Sequence, residues 1–97
     1  MVIGTLVVRL HIPESHSLKD KRMVVRSIVE RTRRTFNVAV AEVDDQDSWQ
    51  AATLGVACVS ADSRHADEMT QKVLRFLEEE GQGEALLTTT SFELVHL

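Results

Sequence analysis

Residues 2–22 read VIGTLVVRLHIPESHSLKDKR, and this stretch decides the fold because its periodicity changes from that of a strand to that of a helix. In the first half, apolar residues recur at every second position, as in a half-buried strand. Pro13 ends that pattern. Ser17 is a suitable N-cap, and Asp20 stands at the acidic position of a capping box. The sequence therefore predicts a strand over residues 2–12 and a helix over residues 18–35.

The rest of the chain continues this alternation of strands and helices. Asp62 or Ser63 can cap a second helix, whose apolar residues repeat at helical spacing until Gly81. The predicted segments are a strand over 36–44, a polar loop over 44–48, a strand over 53–60, the second helix, a flexible turn over 81–83 and a strand over 86–95. This order predicts a single α+β domain over residues 1–97, a ferredoxin-like βαββαβ sandwich with a four-stranded antiparallel sheet and two helices on one face.

Positive charge is concentrated on the first predicted helix, although the chain has a net charge of −4. Seven of the eleven Lys and Arg residues lie between Lys19 and Arg34. Residues 1–36 carry eight basic and three acidic side chains, whereas residues 37–97 carry three basic and twelve acidic ones. A chain with such a charge asymmetry can attract an anionic partner to one end.

The cations of the first helix form a stripe, because Lys19, Arg22, Arg26 and Arg33 fall within about 60° of one another on a helical wheel. An ordinary solvated helix face is the alternative interpretation. Cations in a first turn oppose the helix dipole unless a bound phosphate, or acids such as Glu42 and Asp44, compensate them. The candidate nucleic-acid-binding residues are Lys19, Lys21, Arg22, Arg26, Arg33 and Arg34.

Several other kinds of site are not supported by the sequence. The central strands have no aromatic residue on which RNA bases could stack, although Ile3, Val7, Ala57 and Val59 can form an apolar open face. The loop over 11–17 lacks the glycines of the acylphosphatase phosphate loop. The four histidines show no paired metal-ligand spacing, and the acids of the 44–47 segment are better explained as a hairpin loop. We expect no catalysis, metal or cofactor, and no small-molecule substrate is identified.

Two single-copy residues have structural interpretations. Cys58 lies in an apolar, strand-like segment and is predicted to be a buried, inert thiol. Trp49 is predicted to cap the edge of the core, with a role as a protein-contact anchor as the alternative.

A set of local motifs covers most of the chain: residues 17–22, residues 34–38 with Glu42, Trp49–Gln50 with Leu54–Gly55, and Val59–Ser60. In these motifs the chain resembles the YlxP-like family of small bacterial proteins, a domain of unknown function. The resemblance implies a ferredoxin-like fold and a bacterial cytoplasmic protein whose family is often encoded near translation and ribosome-maturation factors. It implies no known catalysis.

These observations favour a non-enzymatic protein associated with RNA or a ribosomal subunit through phosphate contacts of the first helix. The alternative is a homodimeric protein-interaction module whose basic helix meets acidic residues of a partner. A small-ligand sensor using the open sheet is a weaker third option. No apolar run of about 18 residues could span a bilayer and the N-terminus lacks a secretory signal, so we expect a cytoplasmic protein without a membrane anchor.

Overall fold

The computed structural model describes residues 1–81 and 83–97 and has the predicted order of elements. All strand pairs in the sheet are antiparallel, and the strand order is β2-β3-β1-β4, which confirms the ferredoxin-like fold. Gln82, in the predicted turn over 81–83, lies outside the described residues. The elements are β1 (Val2–His11), α1 (Leu18–Thr35), β2 (Ala39–Asp44), β3 (Ala51–Ser60), α2 (Ser63–Gly81) and β4 (Leu86–His96).

Helix α1 begins and ends at the predicted residues. The Ser17 hydroxyl accepts the N–H of Asp20 at 3.0 Å, which satisfies a free donor of the first turn. The Asp20 carboxylate accepts the N–H of His16 at 3.1 Å, so the return bond of the predicted capping box reaches one residue further back. At the other end, the N–H of Phe36 donates to the Thr32 carbonyl at 2.9 Å.

Strand β2 begins at Ala39, three residues later than predicted, because Phe36 belongs to the helix end. Its ring packs edge-on against the ring of Phe76 in α2, with centroids 5.4 Å apart. Strand β3 begins at Ala51, two residues earlier than predicted, because Ala51 and Ala52 pair with the end of β1.

The core lies between the helices and one face of the sheet. Even-numbered residues of β1 and β3, such as Leu6, Val8 and Leu54, are fully buried there. Cys58 belongs to the same face and is buried, as predicted, and its burial raises the pKa of the thiol. The odd-numbered residues face away from the helices and form what we call the open face.

Helix α2 packs closely against β1 at Gly4. A Cβ atom at this position would lie 2.7 Å from the Thr70 hydroxyl oxygen and 3.1 Å from the Ala66 carbonyl oxygen. The Thr70 hydroxyl is held in place because it donates to that carbonyl at 2.7 Å. Over the described residues, neither helix has both the length and the apolar character needed to cross a membrane.

Candidate nucleic-acid interface on the first helix

Five of the six predicted cations are exposed on α1, and we call them the basic stripe: Lys19, Arg22, Arg26, Arg33 and Arg34. The side chains of four of them form no hydrogen bond or ion pair with any described residue. The exception is Arg33, whose terminal nitrogen donates to the Val40 carbonyl of the edge strand β2 at 2.6 Å. An open depression of about 370 Å³ lies between Arg33, Arg34 and Glu30.

Lys21 does not belong to this surface, and its inclusion among the phosphate-contacting candidates is corrected by the structure. Its side chain has no exposed area, and its ammonium group is enclosed by three oxygen acceptors. Nζ lies 2.9 Å from Oε2 of Glu42, 2.8 Å from the Asp45 carbonyl oxygen and 3.1 Å from the Gln46 carbonyl oxygen. All three ammonium hydrogens therefore have an acceptor, and no hydrogen remains for a phosphate.

The helical wheel contains the signal for this burial. At 100° per residue, Lys21 lies about 160° from Lys19 and only about 20° from Ile28, in the middle of the apolar arc. A lysine in that position brings its stem into the core, so its charge must find an acceptor inside the molecule. The residue type alone suggested a surface cation, whereas the position predicts a buried one.

The acceptors of Lys21 belong to the β2–β3 turn, which is itself held in shape by Asp45. This residue has a φ of 63°, a left-handed conformation that Asp tolerates better than most residues. Its carboxylate accepts the Thr53 hydroxyl at 2.6 Å and Nε of Arg9 at 3.1 Å. These two hydrogen bonds, that of Thr53 first, hold the pKa of Asp45 below its ordinary value of 3.8.

The first turn of α1 thus has its charge compensated only in part. A bound phosphate or acids such as Glu42 and Asp44 are the two expected sources of compensation, and Glu42 compensates Lys21. Asp44, the second predicted acid, instead accepts the N–H of Asp45 at 2.8 Å. Lys19 and Arg22 form no ion pair within residues 1–81 and 83–97, so their positive charge adds to that of the helix N-terminus.

The loop between β1 and α1 is closed by side-chain contacts. The Gln50 amide donates to the carbonyl oxygens of Pro13 and Ser15, both at 3.1 Å, and the buried Ser15 hydroxyl donates to the Ser17 carbonyl. Carbonyl oxygens held by Gln50 do not bind an anion, which needs backbone N–H donors.

The open face has the predicted apolar character at its centre. Val7 is 41% exposed and Val59 is 66% exposed, and both lie on the open side of the central strands. None of the described open-face residues of β1 or β3 is Phe, Tyr or Trp. His11 and His96 lie at opposite ends of the β1–β4 pair, as predicted.

Trp49 lies outside the core, and the prediction that it caps the core edge is wrong. Trp49 is 58% exposed. It directly precedes Gln50, whose side chain anchors the β1–α1 loop.

The fold and surface described so far define a small α+β sandwich with one basic helix face and one apolar sheet face. Residues 3–90 match the family described as "Protein of unknown function (DUF503)". The chain is also 33% identical over 91 residues to the uncharacterized protein YlxP of Bacillus subtilis (strain 168), an alignment that covers 94% of this chain and 99% of that protein. The chain therefore belongs to the DUF503 family, and the predicted YlxP-like resemblance is confirmed. The family description assigns no activity.

A solved structure shares the architecture. The de novo designed protein Foldit4 superimposes with a TM-score of 0.53, over 99% of this chain and 97% of that chain. Its sequence identity to this chain is 12%, so the likeness concerns the fold alone.

Proposed function

We propose that this protein binds structured RNA in the bacterial cytoplasm through phosphate contacts of the basic stripe on α1. The observation that supports the proposal is the set of four exposed cations, Lys19, Arg22, Arg26 and Arg34, that have no partner within the described residues. The same structure satisfies the buried Lys21 with three acceptors, so internal compensation is used where the fold needs it. Negative charge for the stripe would then come from a bound molecule.

The dimensions of the stripe suit a polyanion. From Lys19 to Arg34 the helix rises about 22 Å, which spans several phosphate groups of a nucleic-acid strand. The cations lie on a rigid helix, so few backbone degrees of freedom are lost on binding. Arg33 is already oriented by Val40, and its planar guanidinium retains further donors for a phosphate oxygen.

Phosphate contacts alone favour RNA shape over base sequence. The central strands lack the aromatic side chains that RNA-recognition modules use for base stacking, and the acidic remainder of the chain confines attraction to α1. We therefore infer a preference for structured RNA, including a ribosomal subunit, with little dependence on base sequence.

A filter-binding titration with a structured RNA at two salt concentrations tests the proposal. With about four cations engaged, log K should fall with log salt at a slope of about −3 to −4, or about 100-fold between 50 and 200 mM salt. The variant Arg22→Glu plus Arg26→Glu should abolish this binding. The control variant Lys72→Glu plus Arg75→Glu makes the same charge change on exposed positions of α2 and should retain it.

Equal loss of affinity in both double variants would show a response to net charge rather than to the stripe, and would contradict the proposal, as would no binding at low salt. Migration in a lysate gradient extends the test. Salt-sensitive co-migration with ribosomal subunits supports RNA association, whereas salt-insensitive co-migration with an acidic protein would favour the protein-partner alternative.

A further inference from the structure

The open face carries most of the large, exposed apolar side chains among the described residues. The strand register determines which residues lie on this face. Val43 lies over Gly55, because a Cβ at that glycine would be 3.0 Å from Cγ1 of Val43, and Leu86 pairs with His11. The N–H of Leu97 donates to the Met1 carbonyl, so these two residues continue β4 and β1. Of the nine large exposed apolar residues among those described, six lie on this face or its extension: Met1, Val7, Val43, Val59, Leu86 and Leu97.

The centre of the open face is a shallow depression built from small side chains. A shallow groove of about 680 Å³ runs over Val7, Ala41, Gly55 and Ala57. Because these side chains are short, a second sheet can approach to the normal packing distance of about 10 Å. An apolar patch of this kind on a soluble protein marks an interaction surface.

We propose that the open face binds a second copy of this chain, face to face. The two copies are related by a two-fold axis that lies between their sheets, runs perpendicular to the strands and passes over Val7. Charge complementarity supports this occupant. On β1, β3 and β4 the strand register places three ionisable side chains on the open face: Arg9, His11 and Glu93. At the β2 edge of this face, Asp44 pairs with Thr53 and the Asp45 carboxylate accepts Nε of Arg9. Arg9 lies two residues from Val7 in one direction along β1. Glu93 pairs with Thr5, two residues from Val7 in the other direction.

The two-fold rotation therefore places Glu93 of each copy near Arg9 of the other, because both lie about 7 Å from the axis along the strands. The bond of Arg9 to Asp45 uses Nε, so its two terminal nitrogens remain available for a carboxylate. Glu93 forms no ion pair within the part of the chain that the structure describes. The dimer thus contains two symmetric contacts, each between Arg9 of one copy and Glu93 of the other.

The area of the face is sufficient for a dimer. Four strands at about 4.8 Å spacing and about 30 Å of strand length give about 600 Å² per copy. Two copies bury about 1,200 Å², the lower limit of specific interfaces, which indicates a dissociation constant in the micromolar range. The helices lie on the opposite side of the sheet, so the dimer leaves Lys19, Arg22, Arg26 and Arg34 of each stripe exposed. Arg33 bonds the Val40 carbonyl at the β2 edge and borders the open-face groove. The dimer and the RNA proposal therefore stand or fall separately.

Sedimentation equilibrium of the RNA-free protein tests this pairing. We expect a dimer in wild type and monomers in Val7→Glu, at the centre of the face, and in Val59→Glu. Because Val59 is 66% exposed, its substitution leaves the core intact. Val59→Glu therefore still tests the dimer interface if Val7→Glu does not fold. Met23→Glu is the matched control, because Met23 is 63% exposed on α1, and it should remain dimeric. Circular dichroism checks that each variant is folded.

The proposed contact between Arg9 and Glu93 can be tested separately through the dissociation constant of the dimer. Glu93→Arg places two arginines together at each contact and should raise the dissociation constant about tenfold, more than Glu93→Gln does. A wild-type protein that stays monomeric at about 100 μM overturns the proposal, since its affinity would then be weaker than the buried area predicts. A dimer that survives Val59→Glu, or that Met23→Glu disrupts equally, also overturns it.

Discussion

Removing the ammonium group of Lys21 should destabilise the fold strongly, although the residue lies in a helix rich in surface cations. Lys21→Met keeps most of the apolar stem and deletes the group that binds Glu42 and the two turn carbonyls. The Glu42 side chain, which is 20% exposed in the wild-type structure, is then left without its cation. Breaking a fully buried pair from one side costs about 3–5 kcal/mol. Because water reaches Glu42 and the carbonyls in part, we expect about 2–3 kcal/mol.

Urea denaturation followed by circular dichroism measures this loss as a lower midpoint at an unchanged slope. For a domain of this size, a loss of about 2–3 kcal/mol corresponds to about 10–20 °C in melting temperature. The double variant Lys21→Met plus Glu42→Met removes both charges. It should recover at least about 1 kcal/mol relative to the sum of the single variants, because no charge is left unpaired.

Lys72→Met is the control, since Lys72 is exposed on α2 and its loss should change the free energy of unfolding by less than about 0.5 kcal/mol. The reasoning would be refuted by a Lys21→Met variant as stable as this control. It would also be refuted if the two single-variant losses simply added in the double variant.

Two further perturbations test how the sheet is packed and how its turn is held. Gly4→Ala should cost about 1–3 kcal/mol, because the new Cβ meets Thr70 and the backbone of α2, whereas Gly83→Ala has open space and should be near neutral in the same urea assay. Asp45→Asn should lower stability at neutral pH. Because the pKa of Asp45 is lowered by folding, its stabilising contribution is present above 3.8 and disappears as the pH falls through the folded value. The gap between wild type and Asp45→Asn should therefore shrink in urea titrations at acid pH, and a gap independent of pH would contradict this assignment.

The order of elements was predictable because strong local signals agree with the tertiary structure. Ser17 caps α1, and the alternation of β1 matches its burial residue by residue. Predictions failed where a tertiary contact overrides local preference. Phe36 has high strand propensity, but its N–H caps the helix and its ring packs on Phe76, which delays β2. Ala51 has little intrinsic preference for strands, and it belongs to β3 because the end of β1 lies beside it.

The candidate site was likewise predictable only in part from the sequence. A helical wheel predicts which cations are exposed, and applied strictly it also predicts the burial of Lys21. The partners of Lys21 are a different matter, because two of its acceptors are backbone carbonyls in a turn. Their direction depends on the left-handed conformation of Asp45 and on the bulge between Glu42 and Asp44. Residue types do not encode these features, and they follow only once the β2–β3 register is known.

The β2–β3 turn connects the two proposed surfaces and therefore governs how variants are interpreted. The Asp45 carbonyl binds Lys21 beneath α1, while its carboxylate binds Arg9 on the open face. A change in this turn would disturb the helix start and the charge that the dimer proposal uses at once. Loss of RNA binding in a Lys21 variant would consequently report damage to the fold. The side chains of Arg22 and Arg26 are exposed and form no hydrogen bond or ion pair with a described residue, so substitutions there test recognition with the scaffold intact.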